Sequence, residues 1–153
     1  SQLNVHPLER KIAELFSVDP SASLKVNVLS FGYKFGLPVD ADLVMDCRFI
    51  PNPHWDPELR AMNGLDKQVS EAVLSAESVS EFLERYLALF NSLGQGYLRE
   101  GKKYITLAIG CTGGKHRSVA VAEELARRIN GSAIDAEHRV SAHAIHRDLG
   151  RER

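Results

Sequence analysis

The stretch YITLAIGCTGGKHRSVAVAEELARRI, Tyr104 to Ile129, decides the fold. Its first part, Tyr104 to Ile109, is short, apolar and β-branched, the pattern of a strand buried on both faces. Its last part brings Val119, Ala122, Leu125, Ala126 and Ile129 round at helical spacing. Between the two, Gly110, Gly113 and Gly114 let the backbone take left-handed angles, so that successive N–H groups can point into one hollow. The helix N-terminus behind that hollow adds unpaired donors and partial positive charge. Thr112 and Ser118 supply hydroxyls, and Lys115, His116 and Arg117 supply charge. The segment reads as an anion-binding loop, and a phosphate fits its chemistry better than a neutral ligand.

Working outward, the other segments fit the same architecture. Leu24 to Val28 alternates like a strand and runs into Ser30 to Gly36, a loop with two glycines and Lys34. Leu43-Val44-Met45 is a third strand candidate, running into Asp46, Cys47 and Arg48. Asp66 to Leu74 predicts a short helix. Ser78-Val79-Ser80-Glu81 has the capping-box pattern, and Val79, Phe82, Leu83, Tyr86, Leu87, Phe90 and Leu93 make one apolar stripe after it, closed by Gly94, Gly96 and Gly101. Val140 to His146 predicts a last strand, and Asn4 to Phe16 an N-terminal helix with Leu8, Ile12, Leu15 and Phe16 on one face. The expected fold is a single compact α/β domain with a mostly parallel sheet flanked by helices. In such a sheet ligands sit beyond the carboxyl ends of the strands, where three polar strand ends can converge.

A chain of 153 residues accommodates one domain with a real core. With 44% hydrophobic and 25% charged residues it has the composition of a folded globular protein, not a disordered one. No apolar run approaches the ~20 residues of a membrane span, and Cys47 and Cys111 are too few for a disulfide framework. These features lead to the expectation of a cytoplasmic protein without membrane contact. The net charge of -1 gives no global case for nucleic acid, so RNA binding would need a local basic patch. The chain opens at Ser1 without an initiator methionine, which reads as a piece of something longer.

Two further stretches carry chemistry. Phe49 to Leu65 holds Pro51, Pro53 and Pro57, which exclude a regular helix, together with Asn52, His54, Trp55, Asp56 and Arg60 just after Arg48. Such a loop is either functional or packed onto the core by Trp55. Residues 139–153 are arginine-rich and read as a basic tail, either a patch or a solvated end. The histidines of the last segment have no zinc-motif spacing, so no metal and no cofactor are expected.

The loop does not count as a Walker A sequence, because only three residues separate Gly110 from Gly114 and His116 stands where the magnesium-binding hydroxyl belongs. Cys111 and Arg117, five residues apart and followed by Ser118, do resemble the phosphate loop of cysteine-dependent phosphatases. That resemblance implies Cys111 as nucleophile, Arg117 as phosphate clamp and Asp56 as proton donor. The alternative is a phosphate-binding loop whose cysteine lines the pocket.

Longer motifs carry a more specific resemblance. Ser30-Phe31-Gly32-Tyr33-Lys34, Asp46 through Trp55, Gly64-Leu65-Asp66-Lys67 and Gly110 through Ser118, in this order, resemble the C-terminal domain of the RapZ/YvcJ family of bacterial nucleotide-binding proteins and RNase adapters. The resemblance spans nearly the whole chain, with residues 1–20 as a leading helix and linker. It implies that a P-loop NTPase half, the seat of any ATP or GTP binding, precedes this domain. It further implies a fold like the sugar-phosphate end of phosphofructokinase, and homo-oligomers. In the RNA-binding branch the domain senses glucosamine 6-phosphate and binds small regulatory RNA in partnership with an RNase. By position, Lys34, His54, Thr112, Gly113 and Arg117 match the family's pocket, Cys111, Gly114, His116 and Ser118 complete its loop, and Arg48 and Asn52 adjoin it. The residues available for RNA are Lys102, Lys103, Arg147, Arg151 and Arg153, although Asp148 and Glu152 make this tail less basic than that branch's lysine-rich one.

Overall fold

A computed structural model describes residues 22–151. The strand that anchors the reading, β3 (Tyr104–Cys111), is buried from Ile105 onward on both faces, as its unbroken apolar run requires. It lies inside a four-stranded sheet with β1 (Leu24–Gly32), β2 (Leu43–Asp46) and β4 (Val140–His146), in the order β2-β3-β1-β4. Every pairing is parallel. Parallel neighbours cannot be joined by a tight hairpin, and the helices α1 (Lys67–Leu74) and α2 (Val79–Arg99) fill the crossover from β2 to β3 while α3 (Arg117–Ile129) fills that from β3 to β4.

The core forms on one face. The register puts Val26 beside Ile105 and Ala142, and Val28 beside Leu107 and Ala144, so these side chains make continuous rows across the sheet. Onto them α3 lays Val121, Ala122, Leu125 and Ile129, and α1 and α2 add Val69, Val73, Leu83, Tyr86 and Phe90. Each fully buried leucine or isoleucine contributes about 2 kcal/mol relative to exposure, which is why the sheet and α3 hold the loop between them firmly.

The connection leaving β1 runs towards β2, whereas the connection leaving β3 runs the opposite way, over β1, to β4. Two adjacent strands whose chains depart in opposite directions open a crevice at their carboxyl ends. Here that crevice lies between Gly32 and the loop after Cys111.

Several local expectations change. β1 extends to Gly32, and Tyr33–Phe35 then makes a 3-10 turn. Ser78 does not cap α2 through its side chain: it sits at φ 70, in the left-handed region, and no capping-box bond forms. α2 runs through Gly94 and Gly96 to Arg99, and Gly94 has a packing reason to be glycine, since a Cβ there would stand 3.0 Å from Ile134 Cδ1. Trp55 does not pin its loop to the core, being 76% exposed. The tail after β4 is not a solvated end up to Arg151: it turns back onto the end of β1, with Asp148 only 1% exposed. The N-terminal helix expected over Asn4 to Phe16 lies outside the described residues, as does Arg153.

Candidate functional site

At the carboxyl end of β3 a pocket of about 200 Å³ opens beside the first turn of α3. The anion loop gives it Cys111, Thr112, Gly113, Lys115, His116 and Arg117, and the proline-rich loop gives it Asn52 and His54. Lys115, which the loop sequence offers only as charge, is thus a wall of the pocket. Among the described residues no carboxylate lines it, and Lys115 and Arg117 bring positive charge.

Three elements hold the loop. From β1, Lys34 N–H donates to the Thr112 carbonyl at 3.2 Å, and Gly32 lies so close that a Cβ on it would be 2.6 Å from the Gly113 oxygen and 2.8 Å from the Gly114 nitrogen. From the proline-rich loop, the Arg60 carbonyl accepts from Lys115 Nζ at 2.9 Å and contacts His116 Nε2 at 3.2 Å, while Gly64 N–H donates to the Lys115 carbonyl at 2.8 Å. From the β2 end, Cys47 N–H donates to the Gly110 carbonyl at 2.7 Å. Gly114 takes φ 74, the angle that turns the chain from strand to helix. Among the described residues, no main-chain N–H from Gly113 to Val119 donates to a protein acceptor. These are the orphan donors of a helix start and its preceding turn, gathered beside the pocket.

Arg117 is the most constrained side chain of the site, 5% exposed. Its Nη1 donates to the carbonyls of Arg48 and Ile50, each at 3.0 Å, and Nη2 reaches Thr112 Oγ1 at 3.3 Å. Its Nε is buried without a partner. A guanidinium carries five N–H donors, so after these bonds the Nε–H and one Nη2 hydrogen remain, on the edge of the fork away from the carbonyls. The two carbonyls orient the plane, and a guanidinium edge can place two parallel bonds on one oxyanion.

The remaining candidates fall in three groups. Ser118 is fully buried and its Oγ lies 3.1 Å from Cys111 Sγ, so hydroxyl and thiol satisfy one another beneath the pocket. Asn52 Oδ1 accepts from His54 N–H at 3.0 Å, which fixes the turn that presents both residues. Arg48 and Lys34 stand outside the pocket lining. The Arg48 guanidinium is paired with Asp46 and stacked on Tyr33 at 3.9 Å, and Arg48 serves the site through its carbonyl. Lys34 Nζ lies over Phe35, 5.2 Å from its centroid. Asp56, the acid that a phosphatase would need, also stands outside the lining, with its carboxylate accepting from Glu58 N–H at 2.9 Å.

The residues proposed for RNA are split by the fold. Lys102 and Lys103 precede β3, and Arg147 and Arg151 follow β4, so the two pairs stand at opposite ends of parallel strands roughly 25 Å long. Lys102 is paired with Asp42, and Arg147 and Arg151 both bond Asp148. Among the described residues no cluster of His, Cys, Asp and Glu could hold a metal, and no helix is long and apolar enough to cross a membrane.

Burial dominates the electrostatics of two histidines. It lowers the His116 pKa, opposed by the Arg60 carbonyl and reinforced by Lys115, and it lowers the His143 pKa as well. Both favour the neutral form when folded, so the unfolded chain takes up protons first as pH falls, and stability declines below about pH 6.5. The carboxylates held low by partners, Asp46 by Arg48 and Glu124 by Arg127, lose their contribution only below about pH 4. Urea midpoints are therefore expected to drop between about pH 7.5 and about pH 5.5, and His116→Gln is expected to flatten that drop.

A pocket lined by Lys115, His116 and Arg117, at the switch point of a parallel sheet and beside a glycine loop and a helix start, characterises this domain of the open α/β class. The chain belongs to the RapZ C-terminal domain family, whose model matches residues 24–150. It is 59% identical over 150 residues to a nucleotide-binding protein of Saccharopolyspora erythraea, covering 98% of this chain and 50% of that protein. A nucleotide-binding protein of Acidothermus cellulolyticus is 55% identical over 152 residues, covering 99% and 49%. One of Thermobifida fusca is 53% identical over 152 residues, covering 99% and 50%. The chain thus spans about half the length of the curated relatives it matches.

Proposed function

We propose that this domain is a sensor for a phosphorylated small metabolite, an amino-sugar phosphate such as glucosamine 6-phosphate, and that it works by binding rather than by turnover. The observation that carries this reading is Arg117: buried, oriented by two main-chain carbonyls, and left with an unpartnered Nε on one edge of its fork. A phosphate there would take two bonds from that edge and further bonds from the N–H groups of the glycine loop. Lys115 and the imidazole of His54 would close over the remaining oxygens. The sugar would extend past His54, against which exposed Trp55 stands edge-on at 5.6 Å between centroids.

Trp55 is the single tryptophan of the chain, so its emission reports on the surroundings of His54 alone. Titration with glucosamine 6-phosphate is expected to change that emission, and inorganic phosphate to compete with the sugar phosphate in phosphorus NMR line widths. No change in either signal up to about 10 mM ligand, a limit weaker than roughly -3 kcal/mol of binding, would sink the reading. For the whole protein we propose, in addition, homo-oligomers, a nucleotide-binding half and a partnership with RNA or an RNase. For RNA this predicts affinity that falls steeply with salt.

A further inference from the structure

The turn after β4 packs on the back of the anion loop. Asp148, 1% exposed, accepts from Gly32 N–H at 2.7 Å, from Arg147 Nη2 at 2.8 Å and Nε at 3.0 Å, and from Arg151 Nη1 at 2.9 Å. The same carboxylate-bearing residue touches the loop: a Cβ on Gly114 would stand 3.1 Å from the Asp148 Cβ and 2.7 Å from the Gly32 nitrogen. Tail, β1 end and anion loop are therefore three layers in contact, with Gly32 in the middle. Arg147 also donates to the Gly36 carbonyl at 2.6 Å, and Arg151 lies over Phe35 at 4.3 Å, so both arginines are seated as well as paired. A charge buried this deeply is tolerated only while its partners stay in place. Burial works against the ionised Asp148, yet its bonds to Arg147, Gly32 and Arg151 outweigh burial and hold its pKa below the usual carboxylate range.

We propose that Asp148 is a positioning residue of the anion pocket: held by Arg147 and Arg151, it fixes the Gly32 peptide against Gly113 and Gly114 and so sets the direction of the loop's N–H donors. This rests on the phosphate reading of the pocket and adds a regulatory consequence to it. Anything that draws the two arginines away from Asp148 loosens the loop from behind, without touching the ligand. The tail arginines then belong to the pocket's support.

Asp148→Asn removes the charge and places an amide nitrogen among arginine donors. The test compares wild type, Asp148→Asn, Arg151→Gln and Leu24→Ala, the last a core truncation at the far end of β1. Inorganic phosphate is the probe, followed by phosphorus NMR, with amide proton–nitrogen spectra recorded in parallel. Asp148→Asn is expected to weaken phosphate about tenfold and Arg151→Gln about threefold, with shift changes concentrated at Gly32, Gly113 and Gly114. Leu24→Ala is expected to lose stability and keep its phosphate affinity, which separates positioning from general destabilisation. Wild-type affinity in a folded Asp148→Asn overturns the proposal; should that variant fail to fold, wild-type affinity in Arg151→Gln overturns it instead. If wild type itself does not bind phosphate, the pocket reading fails first. The positioning role is then decided by hydrogen exchange at Gly32, whose buried N–H donates to Asp148 and must exchange faster in Arg151→Gln.

Discussion

Arg117→Ala is expected to abolish measurable phosphate binding, a loss on the order of 100-fold or more, and to destabilise the fold at the same time. The two effects come from opposite edges of one side chain. On the ligand side, the guanidinium is a buried cation of the pocket lining, and bonds to charge inside a cleft are worth more than exposed ones. On the protein side, removing the guanidinium leaves the Arg48 and Ile50 carbonyls without their donor, and Ile50 is itself 1% exposed. Orphaning these acceptors costs about 3 kcal/mol. Arg117→Lys separates the edges. An ammonium keeps the charge but cannot span two carbonyls and an oxyanion with one planar fork, so stability recovers in part while affinity stays at least about tenfold down. Calorimetry with phosphate and urea unfolding of the same two variants make the check. Full affinity in Arg117→Lys would show that charge alone suffices and would remove the fork from the argument.

What the sequence could reveal about this site follows from where its chemistry is written. The anion loop is local: strand, glycines, cations and helix follow one another between Tyr104 and Ile129, and each is marked by residue type. Its partners are less legible. The groups that orient Arg117 are carbonyls of Arg48 and Ile50, nearly seventy residues away, and every residue has a carbonyl, so nothing in the letters singles these out. The Arg48 side chain, tempting beside the pocket motif, is consumed by Asp46 two residues earlier. The tail shows the same effect: composition counts Arg147 and Arg151 as free charge, whereas the fold buries Asp148 between them. Strand order sets a further limit. Periodicity identifies β1, β2 and β3, but only the pairing β2-β3-β1-β4 places Gly32 against the loop. The Ser78 pattern misleads because capping needs an extended N-cap residue, and the short link from α1 to α2 forces a left-handed one.

Gly32→Ala is the second large effect, and it tests the packing of the site without touching any charge. Gly32 has φ -107, which alanine adopts freely, so the backbone conformation raises no objection. The objection is space. The added methyl would meet the Gly113 oxygen at 2.6 Å and the Gly114 nitrogen at 2.8 Å, both main-chain atoms of the anion loop with no flexible end to swing aside. Overpacking of this kind costs about 3 kcal/mol, and whichever part gives way, β1 or the loop, the N–H donors lose their aim. Loss of both stability and phosphate affinity is expected, with the affinity loss at least about tenfold. Gly36→Ala is the control, because it reverses the two factors. Gly36 has φ 92, which disfavours alanine, but no atom lies within 4 Å of the new methyl. Its expected cost is about 2 kcal/mol of backbone strain, with a smaller loss of phosphate affinity than Gly32→Ala, because Gly36 reaches the loop only through the bond its carbonyl accepts from Arg147. If both variants bind phosphate as wild type does, the close approach of β1 to the loop is not what shapes the pocket. If only Gly32→Ala fails, the crevice between β1 and β3 is the part of the sheet on which ligand binding depends.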